Sequence, residues 1–182
     1  MDYGSTHQGI VEGCLKGDRT AQFELYRLYS KAMYNVALRM VRSEIDAEDL
    51  LQQSFMDVFS KLGTFRSEST VGVWIKRIVV NNCINFLKKK RLQLEELNDH
   101  FHQLPDNHDE DQECKFSVDA INKAVFQLPD GYRVVFSLYA MEGYDHEEIG
   151  QILGITESTS KSQYSRAKRK LQELLAGKVM TE

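Results

Sequence analysis

The chain has 182 residues, with 23 Lys and Arg against 27 Asp and Glu, a net charge of −4 and 42% hydrophobic residues. Those are the proportions of a soluble globular protein with room for one domain or two small ones, and two prolines and 11 glycines exclude collagen-like and proline-rich chains. The densest apolar run, Ile78-Val79-Val80, lies between Lys76-Arg77 and Asn81-Asn82 and falls far short of the ~20 apolar residues that cross a bilayer, so no direct membrane insertion is expected.

Met1 to Gly9 is polar and lacks the basic-then-apolar order of a secretory leader. Cys14, Cys83 and Cys114 stand far apart and form neither a disulfide framework nor a zinc half-site, so a reducing cytoplasm is the expected compartment. Thr20 to Arg42 places Phe23, Tyr26, Tyr29, Met33, Val36, Ala37 and Met40 at steps of three or four, one apolar stripe of a long helix. A second helix is predicted from Asp46, as N-cap, to Leu62, with Leu50, Leu51, Phe55, Val58, Phe59 and Leu62 inward and Gly63 as its stop. Glu48 and Asp49 in its first turn suit the helix dipole. Thr64 to Thr70 is a polar loop holding one aromatic, Phe65. A third helix, Val71 to Arg91, carries Trp74, Ile75, Ile78, Val79 and Phe86; its β-branched residues also suit a strand, but the pair Lys76-Arg77 breaks the alternation.

From Leu92 to Cys114 there is no Lys or Arg, yet there are eight acids: Glu95, Glu96, Asp99, Asp106, Asp109, Glu110, Asp111 and Glu113. The remainder of the chain is therefore positive, at +4. With Pro105, few apolar residues and no sustained period, this stretch reads as a flexible linker. It also holds His100, His102, His108 and Cys114, whose spacing fits no compact metal site, so no metal and no cofactor is expected. Basic clusters flank it, Lys88-Lys89-Lys90-Arg91 before and Lys161, Arg166, Lys168, Arg169 and Lys170 after. Local patches of this kind, not net charge, make phosphate contacts.

Beyond the linker, Val118–Leu128 is predicted as a short helix ended by Pro129-Asp130-Gly131, and Tyr132–Met141 as another with Val135, Phe136 and Tyr139 inward. His146–Leu153 buries Ile149, Ile152 and Leu153, Gly154 permits a sharp turn, Ile155 plugs the corner, Thr156 caps, and Glu157–Leu175 forms a long final helix. A short helix, a glycine turn and a helix studded with Lys, Arg and Ser is a helix-turn-helix pattern. Gly150 sits where the two helices approach closely. The fold class is all-α: two small helical domains, residues 8–94 and 116–178, joined by a flexible acidic linker, residues 95–115, with the helix-turn-helix in the second.

The run Asp46-Ala47-Glu48-Asp49-Leu50-Leu51-Gln52-Gln53-Ser54-Phe55, then Phe65-Arg66, Trp74-Ile75-Lys76-Arg77-Ile78, Asn81-Asn82 and Asn85-Phe86-Leu87 resembles the second domain of bacterial extracytoplasmic-function RNA polymerase sigma factors, group IV of the sigma-70 family. Leu128-Pro129, Glu148-Ile149-Gly150-Gln151-Ile152-Leu153-Gly154-Ile155, Thr159-Ser160-Lys161-Ser162 and Arg166-Ala167-Lys168-Arg169-Lys170-Leu171 resemble their fourth. The likeness covers nearly the whole chain in the right order.

That resemblance implies a promoter-specificity factor with core RNA polymerase and promoter DNA as partners and an anti-sigma factor that restrains it. Asp49, Gln52, Gln53 and Met56 would meet the polymerase; they share one helix face, and Gln53 stands where the family commonly has Glu. The loop residues Phe65, Arg66, Ser67, Glu68 and Ser69 would hold an extruded base of the minus-ten element. Asn81 would read it, with Arg77, Lys88 and Lys89 on phosphates. Extrusion costs a few kcal/mol that stacking and edge contacts must offset. Lys161, Ser162, Ser165 and Arg166 would face the major groove of the minus-thirty-five element, while Lys168 and Arg169 position the helix. Ser160 replaces a usual buried Val, and Gln163 a usual Arg. The linker would thread the polymerase's RNA path.

Blander roles stand beside these: Trp74 as core, Phe65 as a core cap, Asn82 and Asn85 as partners of backbone groups, the face of Asp49, Gln52, Gln53 and Met56 as merely solvated. The alternative function is a dimeric helix-turn-helix regulator that binds DNA without polymerase. No phosphate loop, nucleophile elbow or metalloprotease motif is present, so no enzymatic activity is expected.

Overall fold

The computed structural model describes residues 7–95 and 117–179, with side chains up to Lys90 in the first segment and up to Ala176 in the second. Among the described residues every regular element is helical. The expected linker, with seven of its eight acids, His100, His102, His108 and Cys114, lies outside them, as does the side chain of Arg91. The chain divides into two compact units, Met1–Arg91 and Leu92–Glu182.

The first unit holds α1 (Gln8–Leu15), α2 (Arg19–Val41), α3 (Glu44–Lys61) and α4 (Val71–Glu95). Asp18 starts α2 by accepting the Thr20 amide at 2.8 Å. Arg42, in the left-handed conformation with φ 61°, ends it, and two residues later α3 begins, so α2 and α3 form a hairpin. The N-cap of α3 is Ser43, not Asp46: its Oγ accepts the Asp46 amide at 3.2 Å, which places Glu44 and Asp46 inside the first turn. Gly63 does not halt α3 by a left-handed turn; Lys61 ends the helix and Leu62–Thr64 tightens into a 3₁₀ turn.

The core of this unit is built from Leu25, Val36, Ala37 and Met40 of α2, Ala47, Phe55 and Val58 of α3, and Ile75, Val79, Val80 and Cys83 of α4. Phe23 departs from the expected stripe and is 67% exposed. At 100° per residue it lies some 200° around α2 from the wholly buried Leu25, which takes the core-facing place. Tyr26 and Tyr29 are half-buried; Tyr26 sits edge-on to Phe55, centroids 4.8 Å apart. Gly72 sits at a close approach: a Cβ there would come within 2.7 Å of Tyr29 Cε1, and the ring would have to shift.

The second unit holds α5 (Val118–Gln127), α6 (Asp130–Phe136), α7 (His146–Leu153) and α8 (Glu157–Val179). Ser117 caps α5. Leu128 has left the helix in an extended conformation and is fully buried. Asp130 opens α6 two residues before the expected start, because the Pro129 ring cannot continue α5 but suits a helix entrance. One turn on, Arg133 is 1% exposed; its Nη1 donates to Leu128 O at 3.1 Å and pairs with Asp130 at 2.8 Å. The helix then widens into a π turn, Ser137–Met141. That extra turn carries Tyr139 outward, to 38% exposure, where an inward position was expected.

Asp145 and Glu148 form a reciprocal capping box at the start of α7, with bonds of 2.7 and 3.0 Å. Gly154, at φ 72°, ends it. A Cβ on Gly150 would lie 2.8 Å from the Ile155 carbonyl oxygen, so the turn closes only over glycine. Thr156 Oγ1 accepts the Thr159 amide at 3.1 Å and starts α8. Ala124, Val125, Leu128, Ala167, Leu171 and Leu175 form a core cluster in which α8 is the spine. Ile149 is buried as expected, whereas Ile152, Leu153 and Ile155 are half-buried.

Candidate nucleic-acid interface

The first unit offers one continuous polar stripe on α4. Arg77, Asn81, Asn85 and Lys88 are all exposed and step by four, four and three residues, so they line one side of the helix, with Lys89 beside them. Asn82, one residue from Asn81, points the other way. Its Nδ2 donates to Ser54 Oγ at 3.1 Å and to Asp57 Oδ2 at 2.9 Å, both on α3. Of the two asparagines read as partners of backbone groups, Asn82 instead bonds side chains and Asn85 stands in the exposed stripe. Lys90 is turned back to Asp46 at 3.4 Å, its ammonium 5.5 Å from the Phe86 ring centre.

The loop lies at the N-terminus of α4. Thr70 joins the two, its Oγ1 accepting the Val73 amide at 3.3 Å and its carbonyl the Trp74 amide at 3.2 Å. Phe65 is half-buried against Trp74, ring centres 5.5 Å apart. Arg66, Ser67, Glu68 and Ser69 are exposed, and Ser67 adopts φ 56°. Trp74 is thus only partly core, and Phe65 covers it. Asn81 lies seven residues, about 10 Å, further along the helix axis, so loop and stripe together form a track longer than one nucleotide.

On α3, Asp49, Gln52, Gln53 and Met56 are all exposed, Met56 by 66%, on the face opposite the buried Leu50, Leu51, Ser54 and Phe55. Ile45, one turn before Asp49, extends this face and is 75% exposed. Gln53 Nε2 donates to Asp57 Oδ1 at 3.3 Å.

In the second unit the expected reading residues share the outer side of α8. Lys161 is exposed; Ser162, Ser165, Arg166, Lys168 and Arg169 are half-buried; Ala167 and Leu171 face the core. Lys161 Nζ is paired with Glu157 at 2.6 Å, which raises its pKa. Ser160 is wholly buried, and its Oγ shares a 2.9 Å hydrogen bond with His146 Nδ1. His146 stacks on Tyr139 at 4.2 Å and meets Tyr164 edge-on at 5.7 Å. No sequence pattern marked this cluster, Arg133 or the Asn82–Asp57 link, since each depends on partners brought together by folding.

Sigma-70 region 2 matches residues 25–93, and Sigma-70, region 4 matches residues 119–171. The two polar surfaces thus fall one in each region. The ECF RNA polymerase sigma factor SigM of Mycobacterium tuberculosis is 28% identical over 179 residues, covering 96% of this chain and 89% of that protein. The chain belongs to the extracytoplasmic-function sigma factors. SigM of Bacillus subtilis, another ECF sigma factor, is 26% identical over 152 residues, 83% of this sigma factor and 93% of that protein. Among solved structures, the sigma factor RpoE in complex with the anti-sigma factor NepR from Bartonella quintana superposes with a TM-score of 0.56 at 25% identity, over 84% of this sigma factor and 95% of that chain. CnrH, solved with the cytosolic domain of CnrY, shares the fold at a TM-score of 0.54 and 20% identity, over 92% and 96% of the two chains. As a sigma factor the chain directs promoter-specific transcription initiation. Among the described residues, no helix is long and apolar enough to cross a membrane.

Proposed function

We propose that this sigma factor divides promoter recognition between its two units as follows. The exposed face of α3, through Asp49, Gln52, Gln53 and Met56, docks on core RNA polymerase. Phe65–Ser69 and the α4 stripe Arg77, Asn81, Lys88 and Lys89 take the downstream element as single strand: the loop supplies a stacking surface and donors, Asn81 the base-edge contact, and the cations the phosphate contacts. In α8, Lys161, Ser162, Ser165 and Arg166 read the upstream duplex in the major groove, with Lys168 and Arg169 on its backbone. The domains run 8–94 and 116–178 with residues 95–115 as tether, and the protein works in the cytoplasm. An anti-sigma factor as regulator is supported by RpoE and CnrH, the first solved in complex with the anti-sigma factor NepR and the second with the cytosolic domain of CnrY.

The observation that carries this reading is the segregation of α4: Asn81 exposed in line with Arg77 and Lys88, Asn82 half-buried and hydrogen-bonded to α3. Any amphipathic helix keeps a polar outer face; what suits this one to a nucleic-acid strand is that its amides, Asn81 and Asn85, stand in line between the cations Arg77 and Lys88. The test is transcription by core polymerase plus the full chain on a randomised promoter library. Start-site-specific transcripts sharing two spaced elements are expected. Duplex binding at palindromes without polymerase would contradict it.

A further inference from the structure

Asp57 lies on α3 one turn after Gln53 and uses both carboxylate oxygens. Oδ1 accepts Gln53 Nε2 at 3.3 Å, and Oδ2 accepts Asn82 Nδ2 at 2.9 Å. Asn82 spends its second amide hydrogen on Ser54 Oγ at 3.1 Å, and Ser54 is wholly buried. One amide therefore bridges two residues of α3 a turn apart, and the same carboxylate reaches the exposed Gln53.

Successive residues on a helix are separated by 100°. Pinning Asn82 to α3 consequently fixes the angle at which Asn81, and in line with it Arg77 and Asn85, leave the helix. An apolar contact at residue 82 would be satisfied over a range of rotations, whereas hydrogen bonds weaken steeply with angle. We propose that Asp57 is a positioning residue for promoter reading: through Asn82 it locks the rotation of the strand-reading helix α4 against the polymerase-facing helix α3. It touches no nucleotide itself. This inference rests on the assignment of α4 to the downstream element, and it adds what aims that helix.

The test uses holoenzyme assembled from core polymerase and the full chain, at saturating sigma factor. Transcription is measured on the best promoter and on a set with single-base changes in the downstream element. Asp57→Ala and Asn82→Ala should each reduce discrimination among these promoters about tenfold, a size ordinary for coupled neighbours. The double variant should be no worse than either single one. Asp57→Asn should keep most of the discrimination, because its carbonyl still accepts from Asn82 and its amide can donate to a flipped Gln53. Should Asp57→Ala not fold, Asp57→Glu, which displaces the carboxylate by one methylene, takes its place with the same expectation.

Unchanged discrimination in the single variants would overturn the inference. So would equal loss on every promoter, the mark of mere destabilisation, or additive effects in the double variant. Failure of the unaltered chain to direct any specific transcript would instead sink the functional reading on which it rests.

Discussion

His146 Nδ1 and Ser160 Oγ meet at 2.9 Å across the helix-turn-helix, joining the first residue of α7 to the buried side of α8. Burial first, and the Lys161 ammonium second, hold the His146 pKa below its ordinary 6.5, while Glu157 and Asp145 pull the other way. Protonation therefore favours the unfolded chain. The neutral imidazole's contribution to stability is complete above pH 6.5, declines as pH falls through that value and levels off below the folded pKa. The expected outcome is that the second unit's thermal midpoint drops between pH 7.5 and 5.5, and that His146→Gln flattens this slope relative to the parent. Circular dichroism melts at both pH values check it; an identical slope in the variant would refute the role.

Gly150 sets the crossing of α7 and α8. An added methyl meets the Ile155 carbonyl oxygen at 2.8 Å, and that atom is backbone, which cannot swing aside. Gly150→Ala should cost about 1–3 kcal/mol, the usual penalty for overpacking. It should lower the second unit's melting midpoint and weaken upstream-element binding, without altering preference at the downstream element. Chemical denaturation with promoter-variant transcription would detect both.

Much of this architecture was open to a reader of the sequence, and what was hidden has a common cause. The helix-turn-helix was legible because Gly150, Gly154 and the alternation of Ile149 with polar neighbours are local signals. The α3 face was singled out by the family resemblance, which the helical spacing of Asp49, Gln52, Gln53 and Met56 supports, and the four residues are exposed together. Phe23 was misplaced because a hydropathy stripe cannot tell two apolar faces apart when Leu25 competes for the core. Ser43 displaced Asp46 as N-cap because both residue types cap well and they stand only three residues apart in the chain, so local pattern does not choose between them. Asp57, Asn82 and Arg133 were silent because a polar residue's role depends on which partner tertiary packing supplies.

Cys83 lies wholly buried in α4, and burial pushes its thiol pKa from 9.0 up to about 12. Only the thiolate alkylates, and a shift of about three pH units lowers its population roughly a thousandfold. Iodoacetamide at pH 8 should leave Cys83 unmodified in the native chain on a timescale that labels it fully in denaturant. Peptide mass spectrometry of the two samples decides the matter; rapid native labelling would mean that α4 opens readily.

If the two surfaces read separate elements, their variants must fail differently. Arg166→Ala should cost about 1–3 kcal/mol at one upstream base pair and leave downstream preference intact. Asn81→Ala should alter downstream preference alone. Transcription across both sets of promoter variants separates the two. Equal loss on every promoter by both variants would dissolve the division of labour.

Lys161 raises a question of competition, because Glu157 holds its ammonium at 2.6 Å in the free chain although both side chains are more than half exposed. A guanine or phosphate must displace that carboxylate, and the carboxylate is itself repelled by the DNA backbone. A solvated pair of this kind contributes little to stability, so its removal should show in binding, not folding. Glu157→Gln should tighten upstream-duplex binding by holoenzyme several-fold at low salt. It should also steepen the plot of log affinity against log salt by about one unit, as the freed Lys161 neutralises one more phosphate and that phosphate's condensed counterion is released. A titration series in potassium chloride measures both quantities. A slope unchanged by the substitution would place Lys161 away from the DNA and leave Arg166 as the cation nearest the bases.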